Sequence, residues 1–442
     1  MREIFLSIFL CWALITNSQV LKSARFLTID SLNFDGESSE LMKEFREIFK
    51  LTDVIVMSEP THFEGTTLKV EEEIIKGLIS THQIDCVYLE SSWVNVEKVK
   101  VILRDGGINA ITDTYKYCGT GFLKDWVRNG FWNYLARKFV SGDINIIGFD
   151  IEPTTTNCVY EMYLRARNIP YLDSLRRTDI NELKMLNQSF YQFERFGFLL
   201  SINQKIYGKL KSFCIASCKY WRENHNSIEA ESWRQISVYF DWIFSRQGAG
   251  VKSDFFSFTD HTDVYSRALF NSTRDSLMAA NFLREYSQRP NSKAVVLTTA
   301  YHSMRNISNE LELQAKKLGN PKYIFGEILN DSLRKPYYNI LFMGMNGFRG
   351  NEKWKRKIKT NPISELNFIK QFNAEFVFAN LQGTNLRDTC FKLKFPIATL
   401  SEFSINAHWA QIFDGIFFIK TMYPKIYHNY ELISYDLQYQ ND

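Results

Sequence analysis

Asp53-Val54-Ile55-Val56-Met57-Ser58-Glu59-Pro60-Thr61-His62-Phe63-Glu64-Gly65 is the stretch whose reading decides the fold. After Asp53, Val54–Met57 form a short apolar, β-rich run, which predicts a buried strand. The chain then turns polar at once, and Ser58–Gly65 reads as a loop leaving the strand's carboxyl end. Upstream, Leu41, Met42, Phe45, Ile48 and Phe49 recur every three or four residues within Ser38–Lys50, the period of a helix with one apolar face. Downstream, Leu68–Ser80 reads as a helix and Cys86-Val87-Tyr88-Leu89 as a second buried strand ending at Glu90. Trp126–Val140 then reads as a helix and Ile144–Asp150 as a third strand. Strands and helices alternating in this way predict a parallel sheet covered by helices.

Beyond residue 160 the strand signals thin out. Tyr160–Arg165, Ile180–Gly208, Leu210–Glu223 and Ala230–Ser245 all read as helices, and so does Arg274–Tyr286. Lys293–Thr298 is a fourth core strand, and Tyr338–Met343 and Gly415–Ile419 are further ones. The expected fold class is therefore α/β: a central, mostly parallel sheet flanked by helices, with a large helical insertion. The core falls in residues 23–155 and 271–435, and the insertion or cap in 156–270. No internal repeat or low-complexity tract interrupts this order.

Composition narrows the function classes. The 442 residues carry a net charge of +4, are 45% hydrophobic and 23% charged, and include 36 Phe and 22 Tyr. These are globular values, and the aromatic surplus reads as thick cores. So small a net charge argues against a nucleic-acid binder. The one basic cluster, Lys353, Lys355, Arg356, Lys357 and Lys359 around Trp354, reads as a solvated loop or helix face. At the N-terminus, Arg2 precedes an apolar run from Ile4 to Ile15, followed by Thr16, Asn17 and Ser18. That length is short for a membrane span and fits a signal peptide over residues 1–22, so a secreted or periplasmic location is expected, with no membrane span once it is removed. The seven cysteines are irregularly spaced and make no disulfide framework; Cys214 and Cys218, four apart, read as buried small hydrophobes.

In an open parallel sheet, ligands bind beyond the carboxyl ends of the strands. The polar residues there are Ser58–Gly65, Glu90–Trp93, Asp150–Glu152 and Thr298–His302. Glu59 and His62 share one tight loop, where a carboxylate can fix the histidine's tautomer and raise its basicity while the other ring nitrogen takes a proton from water. The plainer alternative is that Glu59 caps the next helix and His62 packs. Glu90, after an apolar strand, is either a tuned carboxylate or bonded to Ser91 or Ser92. His302 is a site residue or a satisfied core histidine. Arg274 either stabilises an oxyanion or makes a buried salt bridge. His62, His302, Glu59 and Glu90 are also permissible ligands for a divalent metal, although no HExxH or CxxC spacing supports that use. There is no GxSxG elbow, phosphate-binding GxxxxGK[ST] or GxGxxG, so nothing calls for a nucleotide or other cofactor.

Taken together, these segments resemble the erythromycin esterase-like family. Val54–Gly65 resembles its Gly-Glu-x-Thr-His-Gly segment, Thr66–Ile79 the helix that follows, and Tyr88-Leu89-Glu90-Ser91 its strand ending in glutamate. Gly148-Phe149-Asp150 also matches, Arg274–Asn281 is similar to the family's Arg-Asp-x-x-Met-Ala-x-Asn, and Phe413–Ile419 is similar to its terminal Phe-Asp-Gly-Ile-Ile-Phe-Ile. The matches run in order from about residue 50 to 425. The resemblance implies a parallel α/β core with a helical insertion, and a hydrolase whose histidine activates water without a required metal. The best-known members open the lactone ester of macrolides. By position, His62 is then the base, Glu59 and Glu90 its supporting carboxylates, and Arg274 an organiser of the site.

The chain departs from this pattern at three places. Ser58 and Phe63 stand where the family has glycine, and Thr299-Ala300-Tyr301-His302 stands where it has His-Asn-x-His. Phe63 would crowd the pocket mouth against a bulky macrolide. The missing first histidine implies altered chemistry, another substrate, or a protein that binds without turnover. The expectation is a hydrolase of an ester or related bond acting on a small molecule, with His62, Glu59 and Glu90 activating water and Arg274 and His302 stabilising developing charge. The alternatives are a ligand-binding member without catalysis, and a metal-dependent hydrolase using the same residues.

Overall fold

A computed structural model describes residues 25–29, 32, 34, 39–61, 64–118, 123, 125–127, 130–151, 204–248, 264–307, 324–351, 354–358, 372–384, 390–396 and 402–424. The expected signal peptide, the helix at Tyr160–Arg165 and most of that at Ile180–Gly208 lie outside the described residues, as do Cys11, Cys158, Lys353 and Lys359. The chain divides into two compact units. One takes Met1–Val87, Asn291–Glu312 and Ile324–Tyr427; the other takes Tyr88–Pro290, Leu313–Tyr323 and His428–Asp442.

The first unit is built on β-branched and aromatic runs. Its strands are β1 (Arg25–Ile29), β2 (Val54–Glu59), β5 (Ala294–Thr299), β6 (Tyr338–Asn351), β7 (Trp354–Lys357), β8 (Phe376–Asn380), β9 (Phe391–Pro396), β10 (Glu402–Ala407) and β11 (Gly415–Met422). They lie in the order β1-β8-β11-β6-β2-β5. β11, β6, β2 and β5 run parallel; β8 is antiparallel to both β11 and β1; β7 pairs back onto the far end of β6; and β9 and β10 form a separate antiparallel pair. Every residue of β2 and of β5 is buried, as central parallel strands require. This is the mostly parallel α/β architecture expected. The basic cluster, expected as a loop or helix face, is instead strand β7, with Lys355, Arg356 and Lys357 exposed.

Helices cover this sheet. Helix α1 (Glu40–Leu51) is capped by Ser39, whose hydroxyl accepts from the Met42 N–H, and buries Leu41, Met42, Phe45, Ile48 and Phe49, the stripe its sequence spacing predicts. Helix α2 (Gly65–Ser80) follows β2. At Gly77 of α2 an added Cβ would lie 2.7 Å from Met42 Sδ of α1 and 3.0 Å from the Phe34 carbonyl oxygen, so a larger residue there would make its neighbours shift.

The second unit holds the Tyr88–Ser92 part of β3 (Cys86–Ser92), β4 (Asn145–Asp150), which neighbours β3, and helices α3 (Trp93–Gly106), α4 (Phe131–Val140), α5 (Gln204–Glu223), α6 (Ser227–Gly248) and α7 (Val264–Ser287). β4 backs onto the carboxyl end of β3 closely: a Cβ at Gly148 would stand 2.7 Å from the carbonyl oxygens of both Ser91 and Ser92. Phe282 of α7 packs against Tyr88 (4.7 Å between ring centroids) and Phe149 (6.4 Å), seating that helix over both strands. Asn281, one residue earlier, donates to the Phe149 carbonyl at 3.2 Å and bonds Gln235 of α6. No helix among the described residues is long and apolar enough to cross a membrane.

Candidate functional site

The carboxyl ends of the parallel strands carry the residues singled out from sequence, and each unit holds its own group. In the first unit, Glu59 is the last residue of β2 and is fully buried. The parallel register sets it beside Thr299, the last residue of β5, which is also buried. A helical turn, Ala300–Ser303, follows at once and carries His302, 7% exposed, with its ring 5.3 Å from that of Tyr301. The N-cap position of α2 falls to Glu64, not Glu59. Glu64 accepts from the Thr67 hydroxyl at 3.1 Å and lies 3.9 Å from the buried Arg349 guanidinium. His62 and Phe63 lie outside the described residues.

Ser58, the residue before Glu59, makes an arrangement the sequence reading did not anticipate. Its buried Oγ donates to Asn339 Oδ1 of β6 and shares a hydrogen bond with Ser303 Oγ, both at 2.7 Å. Asn339 Nδ2 donates to the Ser303 carbonyl at 2.9 Å, and so does the Tyr337 hydroxyl at 2.9 Å. Burial pushes the Tyr337 phenol above its ordinary value, so it keeps the proton it donates. Behind this layer, Asp414 accepts from Asn339 N–H at 2.8 Å, from Gln382 Nε2 at 3.1 Å and from Arg305 Nη2. Burial alone would depress the Arg305 guanidinium, but Asp414 beside it outweighs that and holds it above its usual value.

In the second unit, Glu90 is buried on β3 and Asp150, the last residue of β4, is buried likewise. Arg274 of α7 reaches both: Nε lies 3.1 Å and Nη2 2.5 Å from the Asp150 carboxylate, and Nη2 lies 3.5 Å from Glu90 Oε1. The Asp150 contact is a two-pronged, charge-assisted pair, and the Glu90 contact is the weaker outlying one. Asp150 also accepts from the Ile151 N–H at 2.7 Å. Arg274 thus makes a salt bridge, the plainer alternative read for it from sequence, with Asp150 as its main partner and Glu90 as the outlying one. Asp150 was visible in the sequence as a polar residue closing a strand and as part of the Gly148-Phe149-Asp150 match, with no role attached to it. Asn339 had a clearer signal, as the polar residue inside the apolar run Tyr338–Met343. Among the described residues no group of three or more His, Cys, Asp or Glu is placed to hold a metal ion.

The sequence matches no family model and no curated protein. Solved structures do match over nearly their whole length. A succinoglycan biosynthesis protein superposes with a TM-score of 0.65 at 13% identity, over 92% of this chain and 97% of that one. A protein from Bacillus cereus gives 0.62 at 15% identity, over 93% and 98%. The fold is also that of an erythromycin esterase. A mutant of the esterase EreC in its open conformation gives 0.60 at 13% identity, over 90% of this chain and 98% of that one. At these identities the likeness is one of fold, and it supports a distant structural relationship.

Proposed function

We propose that this chain is an exported hydrolase that cleaves an ester or a related bond in a small molecule, with His62 as the general base that activates water. Glu59 and Glu90 are its supporting carboxylates, and Arg274 and His302 stabilise the negative charge that develops on the substrate. One observation carries the reading. Glu59 is a fully buried carboxylate at the carboxyl end of a central parallel strand, where open α/β sheets bind ligands, three residues before the chain's candidate base. The fold shared with an erythromycin esterase supports it. Within the second unit, Arg274, held by Asp150 and reaching Glu90, is a preorganised cation beside two buried carboxylates.

A second reading is that the chain binds a ligand without turning it over. It is favoured by Thr299, which stands where the resemblance has a histidine and sits in register beside Glu59. The test is hydrolysis of a panel of small activated esters and several macrolides by the purified protein, with and without chelator, beside His62→Ala. Turnover that survives chelator and vanishes in the variant is the expected result. No turnover above the variant on any substrate would leave the binding protein as the better reading.

A further inference from the structure

From this geometry we infer that Ser58 is a positioning residue: its hydroxyl locks the turn carrying His302 against the strand carrying Glu59, through Ser303 and Asn339. The inference rests on the proposed reading for its catalytic meaning, though not for its geometry. Three elements meet at this one hydroxyl. It belongs to β2 one residue before Glu59, it bonds Ser303 one residue after His302, and it bonds Asn339 of the neighbouring strand β6.

Everything around Ser303 is fixed as well. Its hydroxyl also reaches the Ala300 carbonyl at 3.1 Å, and its own carbonyl takes the Asn339 amide and the Tyr337 hydroxyl. Helix α8 (Phe325–Ser332) closes in from behind: a Cβ at Gly326 would lie 2.2 Å from the Ser303 carbonyl oxygen, so only glycine lets the helix sit there. A turn of four residues has little stability of its own. Here the residue after His302 is bonded through its hydroxyl to β2 and through its carbonyl to Asn339 and Tyr337. The serine that departs from the family's glycine at position 58 supplies the bond that ties this turn to β2.

The experiment uses full-length protein with isotope-labelled histidine and follows the imidazole signals by NMR across a pH titration. His302→Gln identifies the His302 signals, and Ser58→Ala, Ser303→Ala and their double variant are compared with the parent. Both single variants should displace the His302 signals and move their titration midpoint, and the double variant should change them no further than either alone. Ser58→Thr, which keeps the hydroxyl, should restore the parent signals. With p-nitrophenyl butyrate as the probe, kcat should fall roughly 10-fold in Ser58→Ala while KM stays within about twofold. Unchanged His302 signals and midpoint in folded Ser58→Ala and Ser303→Ala would overturn the inference. If Ser58→Ala does not fold, Ser303→Ala decides alone. Displaced signals in a parent protein that hydrolyses nothing would sink the hydrolase reading and leave the positioning role standing.

Discussion

Replacing Asp414 with asparagine isolates the charge at a buried, multiply bonded carboxylate, because the substitution leaves volume and shape nearly unchanged. In the native protein this carboxylate faces the Arg305 guanidinium and takes the Asn339 N–H and the Gln382 amide; both Arg305 and Asp414 are buried. Arg305 keeps its bonds to the carbonyls of Tyr337 at 3.0 Å and Gln411 at 3.3 Å, but its charge loses its counterpart. Stranding a buried charge by removing one partner costs about 3–5 kcal/mol. If the first unit unfolds as one block, each kcal/mol is about 2–4 °C, so the expected loss in Tm is roughly 6–20 °C. Thermal unfolding followed by far-ultraviolet circular dichroism reads this directly. Adding Arg305→Met to Asp414→Asn removes the stranded cation and should recover part of the loss. A Tm drop below about 2 °C in Asp414→Asn, or a further drop on adding Arg305→Met, would refute the reasoning.

Three other outcomes are expected. Arg274→Lys keeps the charge but loses the fork onto Asp150, so kcat/KM on an activated ester should fall about 10- to 100-fold with little change in Tm; an unchanged rate would remove Arg274 from the site. Burial would raise the Glu231 carboxyl, but its hydrogen bond with Arg234 and the charges of Arg284 and Arg234 prevail and hold it below its ordinary 4.5. Its stabilising contribution is therefore complete above about pH 4.5 and disappears as pH falls through the lower folded value. Urea unfolding of Glu231→Gln should accordingly lose less stability than the parent over that acid range, and parallel curves would contradict it. Burial pushes the Cys118 and Cys214 thiols well above their ordinary value, whereas Cys390 is exposed. Peptide mapping after iodoacetamide at neutral pH should find Cys390 modified in the folded protein and Cys118 and Cys214 only after unfolding.

The strands buried on both faces were legible because such burial leaves a continuous apolar signature. Val54–Met57, Cys86–Leu89, Ile146–Phe149 and Ala294–Leu297 all show it. Elements with one wet face were harder. β7 is Trp354 followed by three consecutive cations, with no apolar alternation, and its pairing comes from β6, a partner that sequence alone does not reveal. β6 runs on to Asn351, well past the apolar Tyr338–Met343, by way of Gly347 and Gly350, both at positive φ, which sequence periodicity treats as a stop. Helix α3 begins Trp93-Val94-Asn95-Val96, whose β-branched residues weaken any local helix signal; its burial in the second unit overrides that propensity. At the site, position was legible and partnership was not. Glu59 ends β2 and His302 follows the end of β5, whereas β3 runs on past Glu90 to Ser92; the bond of Ser58 to Ser303 joins residues 245 apart, and no local pattern encodes it.

The register of β2 against β5 has a consequence for how the protein is made. Val54 pairs with Ala294, so 294 − 54 = 240 residues of chain must be synthesised between one strand and its neighbour. At about 5–20 residues per second, translation leaves β2 without that neighbour for roughly 12–48 seconds. During this interval a strand that begins with four apolar residues and has open edges is free to pair with another nascent chain. So high a contact order also slows the folding search once the chain is complete. Fragments ending before residue 290 would keep β2 in this state permanently, and aggregation is the fate to expect of them.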